Sequence, residues 1–329
     1  MPESKKASQK DVQTIDCDYI RPRFAASYLI RQGEGATERA AFVDNNTAHS
    51  VPLLLKALKD AGLRPEQVEY VIITHVHLDH AGGSSALMKA CPNAALLAHP
   101  RAVPHVVDPS RLVASARAVY GEEAFEKLYG VIEPIAATRV RAIGDGELIS
   151  WGSKRLRFFH TRGHANHHFC VELLESENGK PESVVFTGDA FGLAYPDLQK
   201  SGLFVFPSTS PTDFDAEEAR KSIRAIVATN ARAAYPTHFG AVNDLPAAAD
   251  QLLKWIDFSE KLLNEAQHSE LSDEKLAGFC ESKIRNEMSR ALGERGMSLS
   301  GDVAELLKLD LELNAAGLAH VAVKRRNPK

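Results

Sequence analysis

Cysteine is scarce in this sequence, with four residues in a chain of 329. The four lie far apart and form no Cys-x-x-Cys pair, so they indicate neither a disulfide framework nor a structural zinc site. We expect buried or incidental thiols in a reducing compartment at Cys17, Cys91, Cys170 and Cys280.

Long apolar runs are absent as well. No stretch approaches the ~20 apolar residues that span a bilayer. Met1 to Asp11 is polar and contains lysines, without the apolar segment of a secretory signal. We therefore expect a protein of the cytoplasm that neither crosses nor binds a membrane.

The chain also lacks an excess of positive charge, since its formal net charge is −4. Its short basic run, Lys324-Arg325-Arg326 with Lys329, stands at the C-terminal end, where a solvated tail is expected. Both observations argue against a nucleic-acid partner.

Short apolar runs alternate with helical patterns in the first part of the chain. Strands are expected at Cys17–Ile20, Ala26–Ile30, Ala40–Val43 and Val68–Ile73, and a helix at Val51–Ala61. Such alternation indicates α/β layers. We expect a disordered tail over residues 1–16, one large domain over residues 17–244 and a helical region over residues 245–329.

A histidine-rich segment follows the last of these strands. Residues 74–80 read Thr-His-Val-His-Leu-Asp-His, directly after Val71-Ile72-Ile73. His75 and His77 are two positions apart, which in extended chain places both side chains on the same side. Asp79 and His80 can turn away once the backbone bends into a helix. One segment can therefore serve two neighbouring metal ions.

Three other predicted strands end in a possible metal ligand. His164 follows Leu156–Phe159, Asp189 follows Val184–Phe186, and His238 follows Ala231–Ala234. Side chains at the ends of separate strands can converge on one site. A lone histidine is usually an ordinary core or surface residue, but four such strand ends in one chain favour a metal centre.

The order of these motifs resembles the metallo-β-lactamase superfamily, over a region from about Cys17 to Asn243. The resemblance implies a four-layer αβ/βα sandwich with appended C-terminal helices. It also implies that two ions share seven ligands. The first ion is held by His75, His77 and His164, the second by Asp79, His80 and His238, and Asp189 bridges both.

One motif departs from the family pattern, because His167 replaces a glycine and His168 matches the second histidine of that motif. We expect that His168 does not bind an ion and at most contacts the residues that do. Two ions joined by a carboxylate leave room for a shared water, and a zinc-bound water can titrate near pH ~7. Zinc is the expected metal, with iron or manganese as alternatives.

Asp79 is the first candidate for a catalytic residue, as a ligand that also orients the water or carries its proton. Alternatively, it only holds a histidine or caps the following helix. Tyr195 is a second candidate, since a phenol can donate a hydrogen bond to an oxyanion. It lies in the long segment Ala190–Asp215, which either walls a substrate pocket or packs as a loop without substrate contact.

Apolar residues recur at helical spacing after Asn243, which predicts three helices. These helices form a substrate lid, extra core or a dimer surface. The whole pattern predicts a hydrolase that cleaves a small-molecule ester, thioester, lactone or amide through a metal-bridging hydroxide. The alternative is a signal-binding or regulatory protein that keeps the metals and has little catalytic activity.

Overall fold

The computed structural model describes residues 12–177, 180–209 and 214–327. Two sheets form its centre. The first has six strands, which lie side by side in chain order: β1 (Val12–Asp16), β2 (Ala26–Gln32), β3 (Arg39–Val43), β4 (Val68–Ile72), β5 (Ala95–Ala98) and β6 (Val140–Ala142). β1 to β3 pair antiparallel, and β3 to β6 pair parallel.

The second sheet has five strands. They are β7 (Leu148–Trp151), β8 (Lys154–His160), β9 (Phe169–Glu177), β10 (Lys180–Gly188) and β11 (Ala234–Pro236). Their order across the sheet is β11, β10, β9, β8 and β7. Only the β10–β11 pairing is parallel among these strands.

Helices pack outside the two sheets and against one another. They are α1 (Val51–Asp60), α2 (Leu78–Ala81), α3 (Ser84–Ala90), α4 (Val103–Val107), α5 (Ser110–Tyr120), α6 (Glu122–Tyr129), α7 (Ala216–Ala228), α8 (Leu245–His268), α9 (Asp273–Gly293) and α10 (Gly301–Arg326). None of the helices in the described ranges is both long enough and apolar enough to cross a membrane.

The alternation of side chains along each strand produces two apolar layers. Val43 of β3 and Phe186 of β10 belong to the core between the two sheets. Phe42, the neighbour of Val43, packs instead with Leu54 of α1 on the outer face. The architecture is therefore the expected four-layer sandwich of helices, sheet, sheet and helices, with further helices at the C-terminus.

The N-terminal prediction is partly wrong. Val12–Asp16, assigned to a disordered tail, forms β1 and pairs with β2, because Val12 and Ile15 supply buried apolar side chains. Cys17–Ile20 is not a strand, since Asp18 and Ile20 have positive φ angles. Residues 1–11 of the expected tail lie outside the described part of the chain.

The basic C-terminal run differs only in part from the expected solvated tail, since Lys324 and Arg325 are exposed but Arg326 is half-buried. Arg326 ends α10 and donates hydrogen bonds to backbone oxygens at the end of α8, including those of Ala266 at 2.6 Å and Ser269 at 2.8 Å. A guanidinium satisfies several of the carbonyl groups that a helix end leaves unpaired. Lys329 lies outside the described residues. The four cysteines are free and buried, as expected.

Candidate metal centre

The parallel strand pairs bring the chemical groups of the chain to one edge of the sandwich. Val43 lies opposite Ile72 across β3 and β4, so the chain segments that follow these two strands run side by side. Gly188 lies opposite Pro236 across β10 and β11. As a result, the segments that carry His75 and Asp44 from one sheet face those that carry Asp189 and His238 from the other.

Gly188 is required at its position. Its φ is +48°, and a Cβ there would lie 2.6 Å from Thr74 Oγ1 and from Nε2 of His168. No other residue type allows this close approach of β10 to the histidine-rich segment. The glycine therefore lets Asp189 reach the site.

His75, His77 and His164 form one group of metal-capable side chains. Nε2 of His75 lies 2.9 Å from Nδ1 of His77, and Nε2 of His164 lies 3.0 Å from the same atom. Burial, together with neighbouring imidazoles, lowers the pKa of His75 and of His77 well below the ordinary histidine value. The three imidazoles each direct one nitrogen atom to the same point, as ligands of a metal ion do.

Asp79, His80 and His238 form a second such group. Oδ2 of Asp79 lies 3.2 Å from Nε2 of His238 and 3.7 Å from Nε2 of His80. Asp79 does not cap α2, because the residue at the capping position is His77. Its carboxylate instead faces His238, and it is 27% exposed, whereas the side chains of His80 and His238 are almost wholly buried.

Asp189 lies between the two groups. Its Oδ1 is 3.3 Å from Nε2 of His80, while its Oδ2 is 3.5 Å from Nε2 of His164. Oδ1 of Asp189 and Nε2 of His80 are buried, and neither has a hydrogen-bond partner among the described residues. Buried polar atoms are costly when unsatisfied, and a divalent cation between them would satisfy both. The donor set therefore fits metal ions.

The outer nitrogen of each of four site histidines contacts an oxygen atom. The contacts of Nδ1 are Thr74 Oγ1 at 3.2 Å for His75, Asp44 Oδ2 at 2.9 Å for His80, Ser208 O at 3.2 Å for His164 and Phe24 O at 2.9 Å for His238. For His80, His164 and His238 this oxygen belongs to a carboxylate or carbonyl group, which can only accept, so the proton stays on Nδ1. The Thr74 hydroxyl donates to Asp44 and can therefore accept from Nδ1 of His75. Nε2 then points inward, where it binds a cation once it carries no proton of its own.

Asp44 was missed by the sequence reasoning. Its carboxylate accepts from Thr74 N at 2.8 Å, from Thr237 Oγ1 at 2.7 Å and from Nδ1 of His80. It thereby joins the segments that follow β3, β4 and β11. The signal was present in the sequence, because Asp44 directly follows the predicted strand Ala40–Val43.

Lowered pKa values favour the ionised forms of Asp189 and Asp79. Burial opposes ionisation of Asp189, but His80, His164 and His238 outweigh it and hold its pKa well below the usual range. Burial also opposes ionisation of Asp79, and His80 and His238 lower its pKa in the same way. Two negative groups thus lie within a buried imidazole cluster, which suits the charge of divalent cations.

His168 lies behind the ligand groups, as predicted. Its Nδ1 contacts Thr161 Oγ1 at 2.7 Å, and its ring centroid is 4.9 Å from that of His75. Among the described residues it belongs to none of the groups that could hold an ion. His167 is placed beside the same group, with its ring 5.6 Å from that of His77.

Tyr195 is near the site but buried. Its hydroxyl donates a hydrogen bond to Oδ1 of Asp310 in α10 at 3.2 Å. Burial, and then Asp310, raise the pKa of Tyr195 well above its ordinary value. The phenol is therefore protonated, and in this structure its proton is directed to a residue that the sequence reasoning did not single out.

A cavity of about 20 Å³ lies beside His164 and Asp189, with room for about one water molecule. Its walls come from the segment that follows Asp189, from α7 and from α8, which contributes Leu252 and Ile256. Both the long segment and the C-terminal helical region thus line the space next to the site. Residues 210–213 of that segment lie outside the described residues.

The chain is similar in sequence to several known proteins. It is 22% identical to the metallo-beta-lactamase fold-containing protein ST1585 of Sulfurisphaera tokodaii over 256 residues, 77% of this chain and 79% of that protein. It is 29% identical to a probable hydroxyacylglutathione hydrolase of Schistosoma mansoni over 141 residues, 43% of this chain. It is 25% identical to an atrochrysone carboxyl ACP thioesterase of Aspergillus fumigatus over 190 residues, 56% of this chain. The chain spans only 45% and 42% of these last two proteins.

Solved structures show the same fold. The crystal structure of the archaeal ST1585 has a TM-score of 0.62 at 20% identity, covering 94% of this chain and 99% of that one. The protein TTHA1429 from Thermus thermophilus has a TM-score of 0.60 at 21% identity, covering 95% and 92%. A sequence model described as the metallo-beta-lactamase superfamily matches residues 20–238, more than half of the chain. The chain therefore belongs to the metallo-β-lactamase superfamily.

Proposed function

We propose that this protein is a hydrolase that holds two divalent metal ions and cleaves a small-molecule thioester or ester. The observation that carries the proposal is the position of Asp189, whose two carboxylate oxygens face different histidine groups. Such an arrangement suits two ions joined by one carboxylate. Zinc suits the imidazole-rich donor set best, with iron or manganese as alternatives.

The residues of the chain then have separate tasks. Metal ions bound here supply Lewis acidity for the substrate carbonyl and lower the pKa of a water molecule. The partial exposure of the Asp79 carboxylate supports a role in orienting the incoming water. Asp44 and the backbone oxygens of Phe24 and Ser208 keep the histidine protons on Nδ1. No serine or cysteine nucleophile is needed.

The choice of a thioester or ester draws on two kinds of support. The segment Thr-His-Val-His-Leu-Asp-His-Ala-Gly-Gly is similar to that of glyoxalase-like members of the superfamily. Two relatives carry the names of a hydroxyacylglutathione hydrolase and an ACP thioesterase. Hydrolysis of lactones and amides would use the same chemistry. We propose neither a nucleic acid nor a membrane as partner; the cytoplasmic location and a homodimer stay predictions.

A substrate panel tests the proposal. Protein of measured metal content is assayed with chromogenic thioester, ester, lactone and phosphodiester substrates, beside Asp189→Ala and the control Asp250→Ala, an exposed aspartate of α8. We expect hydrolysis of thioesters or esters by the native protein and the control, and its loss in Asp189→Ala. Metal-loaded protein that hydrolyses none of these compounds would instead favour the binding or regulatory alternative.

A further inference from the structure

The last helix presents two buried polar residues to the segment that follows Asp189. Asp310 and Asn314 are one turn apart on α10, and each is 8% exposed. We propose that both are positioning residues, which hold the segment 190–209 and through it the metal-site residues His164 and His238. This inference rests on the proposed metal ligands. It makes the C-terminal helix part of the machinery that sets the metal geometry.

Asn314 fixes the backbone on either side of Ser208. Its Oδ1 accepts from Thr209 N at 2.6 Å, and its Nδ2 donates to Pro207 O at 3.1 Å. The Thr209 hydroxyl donates a hydrogen bond to the backbone oxygen of Asn314 at 3.2 Å. The carbonyl of Ser208, held between these contacts, accepts from Nδ1 of His164. One amide side chain therefore sets the acceptor that orients a ligand of the first group.

Asp310 acts on the second group through Tyr195. The Tyr195 hydroxyl donates to Asp310, and the Tyr195 ring stacks on that of Phe24 with centroids 5.0 Å apart. The backbone oxygen of Phe24 accepts from Nδ1 of His238. The neighbouring Ala194 N donates to the backbone oxygen of His238 at 2.5 Å. Two contacts on His238 thus depend on where the segment at Tyr195 lies.

Packing alone does not account for these two residues. Leu306, Leu307 and Leu311 show that the buried positions of α10 are otherwise filled by apolar side chains. Oδ2 of Asp310 is buried without a hydrogen-bond partner among the described residues, which is costly for a carboxyl group. A leucine would pack at lower cost, but it could not accept from Tyr195. The polar side chains of α10 occur where this helix meets the segment 190–209.

The test uses variants that preserve volume. Asn314→Asp keeps the acceptor for Thr209 N but turns a carboxylate oxygen toward Pro207 O. Tyr195→Phe removes only the hydroxyl that reaches Asp310. The matched control is Glu312→Gln, since Glu312 is exposed on α10 between the two positioning residues. Zinc affinity is measured by competition with a chromophoric chelator, and the absorption bands of cobalt-substituted protein report the ligand geometry.

We expect each variant to weaken one of the two zinc-binding steps ~10–100-fold, the range for residues that orient metal ligands. The cobalt bands should shift in both, while Glu312→Gln matches the native protein. A purely structural role would lower the thermal stability of the ion-free chain and leave affinity and spectrum unchanged. If Asn314→Asp fails to fold, the zinc affinity and cobalt spectrum of Tyr195→Phe test the positioning role.

The outcomes separate this inference from the proposed function. Native protein that binds two ions, with native affinities and cobalt spectra in both variants, overturns the positioning role and leaves the hydrolase proposal standing. Native protein that binds no divalent ion overturns both.

Discussion

Oδ2 of Asp44 lies 2.9 Å from Nδ1 of His80, and both side chains are wholly buried. The carboxylate holds the imidazole so that Nε2 faces Asp189 at 3.3 Å. This contact gives His80 the orientation that a metal ligand needs.

Replacing this carboxylate should therefore weaken metal binding. In Asp44→Asn an amide group must face donors on His80, Thr74 and Thr237, so at least one donor loses its acceptor. We expect zinc affinity to fall ~10–100-fold, as measured by chelator competition. Asp60→Asn, at an exposed site in α1, is the control. Unchanged affinity in Asp44→Asn would show that His80 needs no such support.

Substitutions of Asp189 and of His168 should differ sharply in their effects on hydrolysis and on metal binding. Asp189→Ala removes the carboxylate that faces both histidine groups, so we expect no measurable hydrolysis and weaker binding of both ions. His168→Ala removes a residue behind the ligands, and a loss of ~10–100-fold in rate is expected. Elemental analysis and rate measurements on the two variants check this. If the two variants behaved alike, our division between ligands and their supports would be wrong.

The raised pKa values in the second group predict a pH effect on stability. Burial opposes protonation of His238, but Asp189 and Asp79 outweigh it and raise its pKa to about 9. An unfolded histidine titrates near ~6.5. Protonation therefore stabilises the ion-free protein fully below that pH, and the contribution is lost as pH rises through about 9. Denaturant unfolding of the ion-free native protein and of His238→Gln across this range should show the difference.

The same groups predict proton release when metal ions bind. At about pH 7.5, roughly one unit above the ordinary histidine pKa, His238 still carries its second ring proton in the ion-free protein because its pKa is about 9. His80 also has a raised pKa, because Asp189 and the other nearby carboxylates outweigh its burial. A cation displaces these protons, so affinity should increase with pH. Calorimetric titrations in buffers of different ionisation enthalpy measure the release, and binding without it would contradict the assigned ligands.

Removing the C-terminal helices should damage the pocket. A chain cut after Asn243 loses Leu252 and Ile256, which line the cavity beside His164 together with Phe214 and Ile223. Exposed apolar surface should cause aggregation, or the protein should lose substrate selectivity. Light scattering and rates across the substrate panel compare the two lengths. A soluble short chain with an unchanged rate profile would show that the helices contribute neither to solubility nor to substrate selectivity.

The metal-capable residues were visible in the sequence because each follows an apolar run. His75, His164, Asp189 and His238 stand just beyond strands, where topology brings them together. Asp44 was overlooked because a single aspartate after a short strand is also typical of a turn. Its partner His80 lies 36 positions away, and no local sequence pattern indicates that contact.

The remaining differences between the sequence predictions and the structure also arise from long-range contacts. Val12–Asp16 has too few apolar residues to indicate a strand, and it is its pairing with β2 that places it in the sheet. Asp310 and Asn314 occur within a helical pattern whose apolar spacing was recognised, but their contacts lie more than a hundred positions back in the chain. Arg326 likewise looks like part of a solvated tail until α8 is packed beside it. Long-range contacts, rather than local propensity, decide these residues.

The most direct test of the central claim is the number and position of bound ions. A crystal structure of protein expressed with added zinc, with anomalous data collected at the zinc edge, would locate each ion. We predict two ions per chain, one among His75, His77 and His164 and one among Asp79, His80 and His238, with Asp189 contacting both. Fewer than about one ion per chain, or ions bound without Asp189, would contradict this prediction.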